Sequence, residues 1–566
     1  MAASASFIYY YQTELAYYRE LAQEFGRAHP EVGHLVAERG GDSAADRMFQ
    51  GAALLTARLR QRVEDDFPEI VHPLFDQLWP QFLRPLPPVT LLQFTPLPNA
   101  LRQSQSVAAA TIVRSRPVAD VDGAQLQCPF QTCSSLWIHP LELEEVVLHR
   151  PAAADLQLRL SFTVTGGARL GGLALPPLRL QLCGEPRTKL TLYAKLVSEA
   201  RGISLQAGGR TVLRLPRSVI RPVGFEAEES LSPVPPRGAL HLLQEYFVFP
   251  DKFLGVEVRG LDRLPEEADI SAFDLVFHLG PMDLGGLQVD RQCFALGCIP
   301  AINLTDSQRA DLRLSHERRR HPVRVPRQRE IFEIKGVRAF DPRSGQWVEY
   351  PPLHEAQLAD PQLPCHLVTR AVDVVEGVET FIEVVNAEGL PLVPPVDMLQ
   401  VIHTTSNGSL ALRLGMGEVD QPSPSSPEFA TFTNITPVTP GLPMGLDRER
   451  YWRLLAKLNM HPTDLHRQEG LELLIDEAEG GRTGGGGPEI LRVQVGTSSQ
   501  LHRRMVVPMR QVELELADSS FLCPGQMYLF ASVLDRLLAR PPGSTVYNQL
   551  TVTGRPSGVV YRFPPR

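Results

Sequence analysis

Apolar residues recur at helical spacing from the start of the chain. In FIYYYQTELAYYRELAQEF, Phe7, Tyr10, Tyr11, Leu15, Tyr17, Tyr18, Leu21, Ala22 and Phe25 fall in one half of a wheel drawn at about 100° per residue, and Gln12, Thr13, Arg19, Glu20, Gln23 and Glu24 fill the other. The pattern predicts a helix ending at His29, because Pro30 disfavours the α region for the residue before it. An apolar arc of ~180° is wider than the ~100° needed to lie on one core face, so the helix is expected to be covered from more than one side. Glu14 interrupts the arc within a turn of Tyr10, Tyr11, Tyr17 and Tyr18, whose hydroxyls are placed to donate to it. Two destinations stay open: a core helix with an outreaching glutamate, or a helix–helix interface with a partner chain, where tyrosine is enriched.

The helical period continues. After a short helix to Gly40, Ser43 with Asp46 three residues on marks a start for DRMFQGAALLTARLRQRVEDDF, which Pro68 ends. EIVHPLFDQLW makes one more short helix before RPLPP, residues 84–88. The period then shortens, as LLQF, LQLRLSFTV and LRLQLCG alternate between Gly and Pro like strands. AEESLSPVPPRG (227–238) is expected to be a surface linker, ALHLLQEYFVF a helix, and FDLVFHLG, FEI and TFIEVVN strands. Gln421 to Pro443 is expected to be a long loop. DRERYWRLLAKLN and MYLFASVLDRLLAR are expected helices, ILRVQV, QVELEL, TVYNQLTVTG and VVYRF strands, and GGRTGGGGP (480–488) a flexible tip. The fold class is therefore α+β. An N-terminal helical bundle (1–88) is followed by a β-rich domain (89–238), an α+β middle domain (239–345), a second β-rich domain (346–445) and an α+β C-terminal domain (446–566).

Composition narrows the function classes. The 566 residues carry 50 prolines, about 9% against a usual ~5%, which makes the chain loop-rich. A formal charge of -8 gives no net attraction to nucleic acid or anionic lipid. Seven cysteines, spread and without a CxxC pair, fit reduced thiols in a cytoplasmic setting. No apolar run reaches the ~18 residues of a membrane span, so no direct insertion is expected.

Catalytic signatures are missing. No GxxxxGK[ST], HExxH or GxSxG occurs, and GMGEVD at Gly415 lacks the third glycine of a dinucleotide loop. The pairs Cys128/Cys133 and Cys293/Cys298 can be drawn as a two-loop zinc site, but small buried hydrophobes explain them better. The reading is of no catalytic residue, no cofactor and no metal. The sharpest charged feature is RLSHERRRHPVRVPRQRE, with seven arginines between Arg313 and Arg329 against one acid, Glu317. No aromatic residue interleaves them to stack bases, so docking of Arg318, Arg319, Arg320 and Arg324 on carboxylates of a protein surface is preferred to nucleic-acid binding.

Six stretches stand out when read together: YYQTELAYYRELAQEFGRAHPEV, LLTARLRQRVEDDFPEIVHPLFDQLWPQFLRPLPP, LLQEYFVFPDKF, FALGCIPAINL, YWRLLAKLNM and the closing FPPR. In that order they resemble the TssF (ImpG, VasA) family, a baseplate component of the bacterial type VI secretion system. After Thr404-Thr405-Ser406-Asn407 the chain departs from the family's Arg-Asp-Leu-Pro, with Gly408-Ser409-Leu410-Ala411. The resemblance implies a non-enzymatic wedge of two TssF copies with one TssG, on whose platform the contractile sheath polymerises. TssK and TssE would be further partners, with contacts to spike and sheath. It also implies a cytoplasmic location, docked at the inner membrane through the secretion complex. A wedge protein of a phage-tail-like particle is the near alternative, an enzyme or nucleic-acid binder the distant one. A shared bundle would account for Phe7, Tyr10, Tyr11, Glu14, Leu15, Tyr18 and Phe25 as interface residues.

Overall fold

The computed structural model describes residues 5–28, 47–57, 85–98, 100–120, 122–149, 156–173, 175–234, 239–263, 270–280, 288–315, 318–326, 329–341, 344–356, 364–373, 377–393, 396–442, 467–479, 487–502, 505–540 and 546–566. Their fold is α+β, with several separate sheets. Helix α1 spans Ala5–Ala28 and α2 spans 47–57. The short helix after Pro30, the helix of EIVHPLFDQLW, the helix of DRERYWRLLAKLN and most of the glycine tip lie outside the described residues.

Strand Val89–Pro96 organises the middle of the chain. It sits in a five-stranded antiparallel sheet between Cys298–Ile302 and Ala430–Asn434, with Pro129–Thr132 and Ile112–Arg114 beyond Cys298–Ile302. Its VTLLQF run is buried at every position but Gln93, which is half-buried, because both faces are covered. Leu92 and Phe94 meet Phe130, Ile299 and Phe432, while Val89 and Leu91 meet Val248, Phe249 and Phe332. Strand Ala430–Asn434 lies within the stretch expected to be loop. Its alternation is carried by Ala430, Phe432 and Asn434 facing inward between threonines, a pattern weak enough to pass for loop composition.

The largest core joins two distant parts of the sequence. Strands Leu141–His149, Gln157–Val164, Ala272–Leu279, Ala200–Ala207 and Arg210–Pro216 form one sheet. A second contains Ile220–Pro222, Gly255–Val258, Leu178–Leu182 and Phe294–Leu296. Helices α3 (Pro186–Ala194) and α4 (Leu240–Val248) pack with them, and so do α5 (Gln468–Glu479), α6 (Pro524–Leu537) and the C-terminal sheet. Helix α6 is the crossover between the parallel strands Met505–Ala517 and Tyr547–Arg555. It lies close to α3, since a Cβ at Gly525 would stand 2.4 Å from the Leu190 carbonyl oxygen.

The expected linker 227–238 is only partly on the surface, because Ser230 and Leu231 are buried. The Glu245 carboxylate of α4 accepts from Ser230 Oγ at 2.9 Å and from the Leu231 N–H at 2.7 Å. Its other oxygen meets the buried Lys252 ammonium. The LLQEYFVFPDKF stretch thus carries an internal clamp.

A third unit faces two sheets against each other. Gln308–Arg313, Met398–Ser406, Glu330–Asp341 and Gln346–Tyr350 form one, Arg320–Pro322, Gly377–Val385 and Cys365–Asp373 the other, around Leu312, Val337, Ile382 and Leu399. A buried polar joint ties it to the central sheet. Asn303 Nδ2 donates to the Pro129 carbonyl at 2.8 Å, and Asn303 Oδ1 accepts from the Asn407 N–H at 2.6 Å. Thr305 and Thr405 share a hydroxyl hydrogen bond of 3.0 Å beside it. The INL of FALGCIPAINL and the TTSN stretch, a hundred residues apart, meet here.

Candidate partner interface

The two N-terminal helices divide the aromatic stripe. Glu14 and Ala22 on α1 are buried, and Tyr11, Leu15 and Tyr18 are half-buried. On α2, Ala53 and Ala57 are buried. The Tyr18 and Thr56 hydroxyls are 2.8 Å apart, and Thr56 Oγ1 donates to the Ala52 carbonyl, so Tyr18 supplies the proton between them. Tyr18 therefore bonds across the helix pair. Phe7, Tyr10 and Phe25 lie along α1, but their side chains fall outside the described residues.

A second apolar surface of the pair faces solvent. Tyr17 is 57% exposed, Leu21 46%, Met48 75%, Leu54 46% and Leu55 66%. Met48, Gly51 and Leu55 share one face of α2 at i, i+3 and i+7, and space around Gly51 is open. Arc width in the sequence announced a two-sided helix. It did not say which side the chain itself would cover.

The arginine strip is also divided. Strand Arg320–Pro322 extends a sheet edge, with Arg320 opposite Glu383. Arg319 is held by an ion pair to Glu383, whose side chain is fully buried, which gives this arginine a structural task. Arg320 is half-buried, whereas Arg318 and Arg324 are exposed. Arg329 donates to Gln308 Oε1 at 3.0 Å, and buried His321 sits between the arginines with Nε2 accepting from the Ser315 N–H at 3.0 Å.

Other titratable groups serve packing. A cleft of about 940 Å³ between residues 217–229 and the C-terminal segment is lined by charges that bond each other, as Arg179 to Glu229 at 2.7 Å and Arg566 to Asp535 at 2.5 Å. Burial pushes Asp535 up to about 6 despite the pull of Arg566. Burial pushes His139 and His366 down to about 4 and Cys128 up to about 11, while Cys133 and Cys298 are also raised by burial. These thiols are held protonated in apolar surroundings. Among the described residues no group of three or more His, Cys, Asp or Glu is arranged to hold a metal ion.

Comparison with known proteins bears on this arrangement. A family model described as "Type VI secretion system, TssF" matches residues 3–566. The type VI secretion system component TssF1 of Pseudomonas aeruginosa is 27% identical, over 98% of this chain and 97% of that protein. A chain in the cryo-electron microscopy structure of the type VI secretion TssK-TssF-TssG baseplate subcomplex shares the fold with a TM-score of 0.73 at 24% identity, covering 92% of this chain and 98% of that one. A chain of the type VI secretion baseplate complex does so with a TM-score of 0.59 at 23% identity, covering 99% of each. With its family model matched from residue 3 to the last, this chain belongs to the TssF family of the type VI secretion system.

Proposed function

We propose that the protein is a structural wedge component of the type VI secretion baseplate, in which two copies combine with one TssG, and that it catalyses no reaction of its own. Family membership supports the role, and the exposed apolar face of the helix pair is the observation that carries the mode of assembly. Tyr17, Leu21, Met48, Leu54 and Leu55 offer a surface for helices of TssG or a second copy, while the Tyr11, Glu14, Leu15 and Tyr18 side holds the pair together. Phe7, Tyr10 and Phe25 extend the same helix toward both ends of the bundle. TssK and TssE are further partners, with Arg318 and Arg324 available to carboxylates of a neighbouring chain. No described helix is long and apolar enough to cross a membrane. Contact with the inner membrane is then through the rest of the secretion complex.

Completing the burial of five half-exposed side chains contributes ~1 kcal/mol each, or ~5 kcal/mol gross. Association costs ~4 to 15 kcal/mol, so the helix pair needs other surfaces to act with it. The test is co-expression with TssG, read by light scattering after gel filtration. A complex of two chains per TssG, lost in Leu54→Glu plus Leu55→Glu, is expected. A wild-type chain that ignores TssG overturns the proposal.

A further inference from the structure

The outer face of the sheet Gln308–Arg313, Met398–Ser406, Glu330–Asp341 and Gln346–Tyr350 carries two ordered rows of side chains. Strand register sets both. Arg313 pairs with Met398, Met398 lies one step beyond the Ala339–Leu399 pair and so beside Phe340, and Phe340 pairs with Trp347. The neighbouring row reads Asp311, Gln400, Arg338, Glu349. The first row is apolar over three strands, with Met398 42% exposed, Phe340 39% and Trp347 40%.

This apolar row is held in one geometry by the polar one. Phe340 and Trp347 meet edge to face with centroids 5.4 Å apart, and the Arg338 guanidinium lies over the indole at 5.0 Å. Arg338 donates from Nε and Nη2 to Gln400 Oε1, and Gln400 Nε2 donates to Asp311 Oδ1 at 3.2 Å. Four strands are thereby cross-linked by side chains on the solvent side. A sheet whose opposite face already packs Val337, Leu399 and Val401 gains nothing for its own core from an exposed tryptophan and phenylalanine. Trp, Arg, Phe and Met are the residue types that concentrate at the centre of protein interfaces, and an anchor ordered before binding loses less entropy when it docks.

Charge identifies the partner. Arg309 and Arg313 are exposed at the free edge of the same face and make no ion pair among the described residues. Asp311 between them accepts from Gln400 and keeps its charge, so this edge carries two positive charges against one negative and is positive on balance. We infer that this face is a docking surface, separate from the N-terminal helix pair, for a protein partner that inserts an apolar side chain over Phe340, Trp347 and Met398 and sets carboxylates against Arg309 and Arg313. A second copy packed on this face with its Arg309–Arg313 edge against the same edge would bring arginine against arginine, which disfavours that arrangement.

Photo-crosslinking in the assembled particle tests this with the full chain. Glu349, exposed on the same face, is replaced (Glu349→p-benzoylphenylalanine), and a second site on a different sheet, Val212→p-benzoylphenylalanine, serves as control. Irradiated particles are expected to yield a link from position 349 to a peptide of another protein with Asp or Glu within a few residues. Adding Arg309→Glu and Arg313→Glu, or Trp347→Ala, is expected to lower the yield at least fivefold per assembled chain, with TssG still co-purifying and the protease pattern unchanged. A link to a second copy overturns the inference. So does the absence of any link, or a yield indifferent to charge reversal, when TssG is retained. Loss of TssG from the wild-type chain would instead count against the wedge proposal.

Discussion

Replacing Lys252 by methionine isolates the energetics of the Glu245 clamp. The two side chains are 1% and 3% exposed, and Glu245 also accepts from Ser230 Oγ and the Leu231 N–H. Methionine keeps most of the lysine stem, so little packing is lost, although the ammonium's contact with the Phe253 ring goes with the charge. What remains is a buried carboxylate with two neutral donors and no cation, which costs ~3 to 5 kcal/mol. Glu245→Gln leaves the ammonium uncompensated instead, at a similar cost. The double variant removes both charges, and the glutamine Oε1 still accepts from Ser230 and Leu231. Its penalty is then an unsatisfied amide N–H, ~1 to 3 kcal/mol, well below the sum of the single variants. Hydrogen exchange of the Leu231 amide, read by mass spectrometry in the assembled complex, reports the clamp locally. Protection should fall by two or more orders of magnitude in each single variant and recover in the double. If Lys252→Met changes protection less than fivefold, or if the two costs simply add, the buried pair does not hold this segment as described.

Three further outcomes are expected. His139 and His366 sit near 4 when folded against ~6.5 unfolded, so their contribution of ~3 kcal/mol each is full above pH 6.5 and is lost as pH falls toward 4. Asp535, raised to about 6, works the other way, its contribution present below ~4 and lost as pH rises through 6. Urea midpoints should therefore fall between pH 7 and 4.5, less steeply in His139→Gln; equal wild-type midpoints at both pH values would contradict this. Arg319→Ala should destabilise the 308–406 unit by ~2 to 4 kcal/mol more than Arg318→Ala, because Arg319 pairs with buried Glu383 whereas Arg318 is exposed; similar melting of the two variants would refute the distinction. Gly297→Ala should cost at least ~2 kcal/mol in thermal unfolding, since the backbone has φ +67° and a Cβ would stand 2.2 Å from the Phe94 carbonyl oxygen; a tolerated alanine would mean the central sheet is looser than this.

Local pattern in the sequence located most of the strands and the helices α1, α2, α4 and α6, because alternation and helical spacing are set by which face each element buries. Pairing is another matter. Nothing within VTLLQF names Cys298–Ile302 and Ala430–Asn434 as its neighbours, and Phe432 was concealed among threonines that resemble loop. The arginine run is visible as charge, but the partner that occupies Arg319 lies 64 residues away in a strand whose pattern is mainly apolar. The Phe340–Trp347 ladder has a sequence signal in two alternating runs around a Ser344-Gly345 turn, but neither run holds a motif that marks an exposed row. Glu14 was placed among tyrosine hydroxyls by the wheel, whereas Tyr18 turns to Thr56, a residue on another helix that a wheel cannot contain.

The central sheet also sets a schedule for making the protein. Thr90 bonds to Thr436 across 346 residues, and strand Ala430–Asn434 covers one edge of Val89–Pro96. A ribosome adding ~5 to 20 residues per second needs about 20 to 70 s to pass from one to the other. Throughout that interval one edge of an apolar strand has no partner on its own chain. A polypeptide released before residue 430 leaves that edge open permanently, and the largest core still lacks Leu550 and Val552. Truncations from the C-terminus are thus expected to aggregate instead of yielding a smaller folded protein.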